Sequence, residues 1–163
     1  MVVKTDPLLE NDDDDSIIIA WNDKYSTGIE LIDNQHKELV ALTNQLYRAC
    51  LSGEEALGTA FKEAMSSMVN YVRFHFGAEQ DLLQRVNYPD YHEHKKQHEI
   101  LVKQILDTAS EFNKGKKFIA NKFVRTLRDW VFGHIAVYDK SYAEYVFDQK
   151  GKGSLTDRQI NGN

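Results

Sequence analysis

The chain has one cysteine, Cys50, and only two prolines and nine glycines in 163 residues. A single cysteine excludes an intrachain disulfide and fits a reducing compartment. Cys50 sits among Leu46, Tyr47 and Leu51, and reads as a small apolar side chain rather than a nucleophile or ligand. The scarcity of helix breakers points to long uninterrupted elements, which would be helices. No apolar run is long enough to cross a bilayer. No secretory leader is visible either, because Ile17–Trp21 is short and follows acids rather than bases. A cytoplasmic protein without a membrane partner is expected. There is no basic excess. Six of the 25 acids lie in the first fifteen residues beside one base, Lys4, leaving 19 acids against 19 bases in the remainder. A neutral body gives no reason to expect nucleic acid. Residues 1–15 are expected to form a disordered acidic tail.

What the chain does have is histidine placed at helical spacing. The segment HFGAEQDLLQRVNYPDYHEHKKQH, residues 75–98, contains two i,i+4 pairs, His75 with Glu79 and His94 with His98. Residues four apart on an α-helix differ by roughly 40° around the axis, so each pair points two donors at one place. The Tyr88-Pro89 break is expected to end one helix and reverse the chain. The pairs then face each other from antiparallel helices.

Four helices are expected, at about Leu31–Leu51, Ala56–Val86, Asp90–Asn113 and Ile119–Asp148. The second carries Phe61, Met65, Met68, Val72, His75, Glu79, Leu82 and Val86 at alternating spacings of four and three, the seam of a bundle. Its apolar members are core. Glu79 is not explained that way, because a buried carboxylate is costly unless paired or metal-bound. His36 lies on the stripe of the first helix and His134 on that of the fourth, beside Trp130. His92, about 200° round the helix from His94, reads as a surface residue. Asp139 follows His134 by five residues, which a regular helix turns away by roughly 140°. A π-type widening between His134 and Tyr142 is therefore predicted. The architecture is an all-α, up-down-up-down antiparallel four-helix bundle over 16–149, with an N-terminal arm. Residues 150–163 are expected to be a flexible C-terminal tail.

The inward set is His36, His75, Glu79, His94, His98, His134 and Asp139. Seven ligands exceed what one ion takes. Structural zinc favours thiolates, and calcium or magnesium favours oxygens. An imidazole-rich set with a few carboxylates suits iron, copper or zinc. Two carboxylates can bridge two ions, and five histidines divide as three and two. The two-histidine ion keeps a position for a small molecule.

Certain segments carry a family likeness. They are the arm Trp21–Gly28 followed by IDNQH ending at His36, HFGAE at 75–79, YPDYHEHKKQH at 88–98 and WVFGHIAVYDK at 130–140. Over about residues 17–148 the chain resembles the hemerythrins, and among them the bacterial hemerythrin-like proteins. The resemblance implies dioxygen binding at a non-haem centre of two iron ions joined by an oxo or hydroxo bridge. It implies that His94, His98 and His134 hold one iron and that His36 and His75 hold the other. Glu79 and Asp139 would bridge them, with dioxygen at the two-histidine iron. Trp130, Val131 and Leu82 are expected to line the oxygen pocket. One departure stands out. The family usually has leucine directly after the tryptophan of the fourth helix, and here that position is Val131.

Carriage, storage or sensing of oxygen is the expected function, without enzymatic turnover. A redox enzyme on the same irons, acting as an oxidase or reducing peroxide or nitric oxide, is the alternative. A sensor would need a separate, unidentified protein partner.

Overall fold

The computed structural model describes residues 15–162. The expected acidic tail lies outside the described residues, apart from Asp15. Every regular element among the described residues is helical. Four long helices form the body: α1 (Glu30–Leu51), α2 (Glu54–Arg85), α3 (Tyr91–Asn113) and α4 (Ile119–His134). The fourth runs on through a π segment, Ile135–Asp139, into α5 (Lys140–Gly151). Helix α1 packs against α2 and α4, and α3 packs against α2 and α4, closing a ring of four. No helix among the described residues is long and apolar enough to cross a membrane.

Two apolar clusters occupy the bundle. The larger includes Leu39, Leu46, Phe61, Met68, Val72, Leu101, Ile105, Phe123, Leu127 and Val131. The smaller joins Ile29, Ile32, Leu82, Leu83, Val86, Tyr142 and Val146. These are the three- and four-spaced positions of the stripes, since that spacing keeps one helix face against its neighbours.

The N-terminal arm lies on the body. Ile19 is buried, and the Asn44 side chain accepts hydrogen bonds from the Ile18 and Ile19 amides and donates to the Ile19 carbonyl. A short 3₁₀ turn, Asp23–Tyr25, follows. The chain then enters α1 around Asp33. That carboxylate accepts hydrogen bonds from the Ser26 hydroxyl, the Thr27 amide and hydroxyl, and the Gly28 amide, at 2.5–3.1 Å.

The break after α2 falls where expected, before Pro89, and the C-terminal segment departs from expectation. Helix α2 ends before Pro89. Asn87 takes φ 52°. The Tyr88 amide donates to the Leu83 carbonyl at 2.9 Å, and the Asn87 amide donates to Gln84. This is a left-handed C-terminal motif that satisfies the last carbonyls, and asparagine tolerates it better than most residues. The correction concerns 150–163, expected as a flexible tail. Within it a one-turn helix, α6 (Asp157–Asn161), is closed by a capping box between Thr156 and Gln159. Leu155 and Ile160 are buried in the smaller cluster, and the Arg85 side chain donates to the Gln159 carbonyl. Two apolar residues in a polar stretch suffice to dock it, because each buried side chain gains roughly 1.5–3 kcal/mol.

Candidate metal centre

All seven sequence-predicted ligand residues meet in the middle of the bundle. None is more than 3% exposed. His36 comes from α1, His75 and Glu79 from α2, His94 and His98 from α3, His134 from α4, and Asp139 from the end of the π segment. The widened turn lies where the five-residue spacing requires it. One extra residue is accommodated between His134 and Asp139, so both face inward along with Tyr142.

The donors fall into two groups that share Glu79. His36, His75 and Glu79 form one, and Glu79, His94, His98, His134 and Asp139 form the other. Asp139 lies between the groups. Its Oδ2 is 3.0 Å from His36 Nε2, while its Oδ1 is 3.1 Å from His134 Nε2 and 3.6 Å from His94 Nε2. Glu79 Oε2 is 3.2–3.6 Å from the Nε2 atoms of His98, His94 and His75, and its Oε1 is 3.7 Å from that of His36.

These contacts are poor as hydrogen bonds and good as a coordination shell. Both Asp139 oxygens and His36 Nε2 are buried without an aligned hydrogen-bond partner. The Nε2 atoms of His98 and His134 face each other at 3.0 Å. With metal–ligand bonds of about 2.1 Å, neighbouring ligand atoms around one ion sit about 3 Å apart. The residues present therefore fit cations, and buried polar groups of this kind are expensive without them.

The electrostatics agree. Burial drives the His36 imidazole down, yet the nearby Asp139 and Glu79 carboxylates outweigh it and raise its pKa to about 10. Burial wins at His75, which is lowered to about 4. Burial pushes the Glu79 and Asp139 carboxyls up, but the surrounding imidazoles hold both well below the usual range. The cluster thus holds two carboxylate charges and draws positive charge to itself.

The walls are aromatic. Trp130 stacks on His134 with ring centroids 4.3 Å apart, and Phe76 stacks on His98 at 3.6 Å. Trp130 therefore stands beside the three-histidine group. Val131 is buried in the larger cluster and Leu82 in the smaller one, with Tyr142. His92 is exposed, as its phase predicts.

A family model described as the hemerythrin HHE cation binding domain matches residues 27–146. The chain belongs to the hemerythrin family. It is 31% identical over 129 residues to a bacteriohemerythrin of Stenotrophomonas maltophilia, a match covering 79% of this chain and 82% of that protein. A Pseudomonas aeruginosa bacteriohemerythrin is 32% identical over 128 residues, covering 78% of this chain and 81% of its own. A hemerythrin-like protein of Naegleria gruberi is 29% identical over 122 residues, covering 75% and 88%. Among solved structures, wild-type hemerythrin superposes with a TM-score of 0.72 at 26% identity, covering 78% of this chain and 96% of that one. The all-helical hemerythrin bundle is thereby shared in sequence and in shape.

Two residues outside the predicted ligand set touch it: Tyr142, already expected near the site, and Gln35, which was not. Tyr142, wholly buried, donates its hydroxyl to Glu79 Oε1 at 2.5 Å. Gln35 Oε1 lies 3.0 Å from His75 Nδ1. Gln35 was detectable as a polar residue three after Ile32 on the apolar stripe of α1, masked by the histidine beside it.

Proposed function

We propose that this hemerythrin binds dioxygen reversibly at a non-haem di-iron centre held by His36, His75, Glu79, His94, His98, His134 and Asp139. The observation that carries this reading is the position of Asp139. One of its oxygens faces His36 and the other faces His94 and His134, which is what a carboxylate bridging two ions does. In this assignment His94, His98 and His134 belong to one ion and His36 and His75 to the other. The smaller set keeps a coordination position for dioxygen. Two ferrous ions there would supply the two electrons that dioxygen takes up on binding and returns on release.

The protein's own groups hold and shield. Tyr142 donates a hydrogen bond from its hydroxyl to one oxygen of Glu79 and so orients the carboxylate. Trp130 and Phe76 cover the rings of His134 and His98, excluding water from the ligand bonds. Trp130, Val131 and Leu82 are the residues assigned to the oxygen pocket. Carriage, storage and sensing share this chemistry, and sensing adds a separate protein partner. A cytoplasmic setting fits the single thiol.

Oxygen binding is favoured over oxidative turnover by the donor set. Ferritin-like di-iron proteins use several Glu residues with Glu-x-x-His pairs, whereas this site has five imidazoles and two carboxylates. Fewer anionic ligands stabilise high iron oxidation states less. The test is to load iron without air, measure two irons per chain, admit oxygen, record the visible spectrum and remove the oxygen. Return of the starting spectrum without net peroxide supports reversible binding. Sustained peroxide release or substrate oxidation supports the redox enzyme. An iron pair indifferent to oxygen overturns both in favour of storage.

A further inference from the structure

The five site histidines differ in what holds their outer nitrogen. A metal-ligating imidazole that presents Nε2 carries its proton on Nδ1, and a partner there fixes both tautomer and ring angle. The Nδ1 atoms of His36, His94, His98 and His134 are buried without a hydrogen-bond partner among the described residues. His75 alone has one, Gln35 Oε1 at 3.0 Å.

Gln35 is itself locked in place. It is 5% exposed. The Tyr71 hydroxyl donates to its backbone carbonyl at 2.5 Å. The Tyr71 ring also lies nearly parallel to that of His75, 12° between planes. The amide nitrogen of Gln35, by contrast, is buried with no partner. An orphaned buried donor costs about 1–3 kcal/mol, and leucine of similar size would avoid it. Packing therefore does not account for glutamine. Its oxygen does.

We infer that Gln35 is the positioning residue of the two-histidine metal position: its amide oxygen accepts a hydrogen bond from His75 Nδ1–H and aims Nε2 at the ion, with a neutral rather than an anionic partner. This rests on the di-iron reading above. The choice of an amide matters. A carboxylate on Nδ1 would make the imidazole a stronger donor and stabilise the more highly charged iron. An amide fixes the ring while leaving the ion easier to reduce, which suits an ion that must return to its ferrous form each time oxygen leaves.

Anaerobic titration with ferrous iron, read as stoichiometry and affinity, tests this with Gln35→Leu and Gln35→Glu. Wild type takes two ions. In Gln35→Leu the affinity for one of the two falls about 10–100-fold, the usual cost of losing a partner of a ligand, while the other stays at its wild-type value. Gln35→Glu, which keeps an acceptor, restores the second ion. Its iron-loaded midpoint potential lies below that of wild type. Two ions bound by Gln35→Leu as tightly as by wild type would overturn the assignment, and so would a Gln35→Glu protein as weak as the leucine variant. If Gln35→Leu does not fold, the potential of Gln35→Glu decides, and an unchanged value overturns it. A wild type that takes fewer than two ions refutes the di-iron reading itself, a separate and recognisable failure.

Discussion

Asp33 shows how much one side chain can organise. Burial pushes its carboxyl up, but donors on Ser26, Thr27 and Gly28 outweigh that and hold it below the usual carboxylate range. A carboxyl lowered by folding stabilises the fold above its unfolded pKa, near 3.9, and loses that contribution as pH falls through the folded value. Asp33→Asn is thus expected to be less stable by about 1–3 kcal/mol near neutral pH, and the gap should narrow below about pH 4. Urea melts of both proteins at pH 7 and pH 3 check the sign, and a gap that widens in acid contradicts it. Val131 poses the other residue-scale question. It is buried and is shorter by one CH₂ than the leucine usual in the family. With Val131 in the proposed oxygen pocket, a smaller side chain would give water and anions easier access, so the oxygenated form should decay faster than in a leucine version. Val131→Leu is expected to slow the fading of the oxygenated absorption band, and equal or faster fading removes any role for this position.

Among the elements, the stripes of α1 to α4 could be read in advance because burial imposes one period on every residue of a long helix. The π segment was readable for a related reason. Two groups that must meet, His134 and Asp139, stood out of phase with a regular helix. The end of α2 was legible to within a residue, at about Val86, while the left-handed residue that closes it, Asn87, leaves no periodic signal. Helix α6 was missed because one turn has no periodicity, and its stability comes from docking Leu155 and Ile160 rather than from propensity. Gln35 was missed since its partner, His75, is 40 residues away and no local pattern connects them. The π segment also carries a prediction. Val137 is 58% exposed. Deleting it would leave His134, Asp139 and Tyr142 at spacings of four and seven, the inward phase of an ordinary helix. The deletion variant should keep its helical circular dichroism and bind metal more weakly through altered ligand aim. Collapse of the helical signal would show that the widened turn is needed for folding itself.

At the scale of the molecule, the bundle encloses seven polar groups that water no longer reaches. Ions that bind only the folded chain stabilise it in proportion to the logarithm of their free concentration. At about 1,000 times the dissociation constant the gain is roughly 4 kcal/mol, which for a chain of this size corresponds to about 10 °C in melting temperature. Stripping the metal with a chelator is expected to lower the transition by that order, and calorimetry of loaded and stripped protein measures it. Equal transitions would mean that the centre contributes nothing to holding the bundle closed. The order of synthesis adds a constraint of another kind. The ligand residues run from His36 to Asp139 and come from all four long helices, with the aspartate last. A chain emerging from the ribosome presents five of the seven by the close of α3, but none of the final pair. The carboxylate that faces both histidine groups is the last of the seven to be made. Until His134 and Asp139 are made, the chain lacks one histidine of the larger donor group and the carboxylate that faces both groups, so the complete donor set exists only in a chain long enough to form the whole bundle.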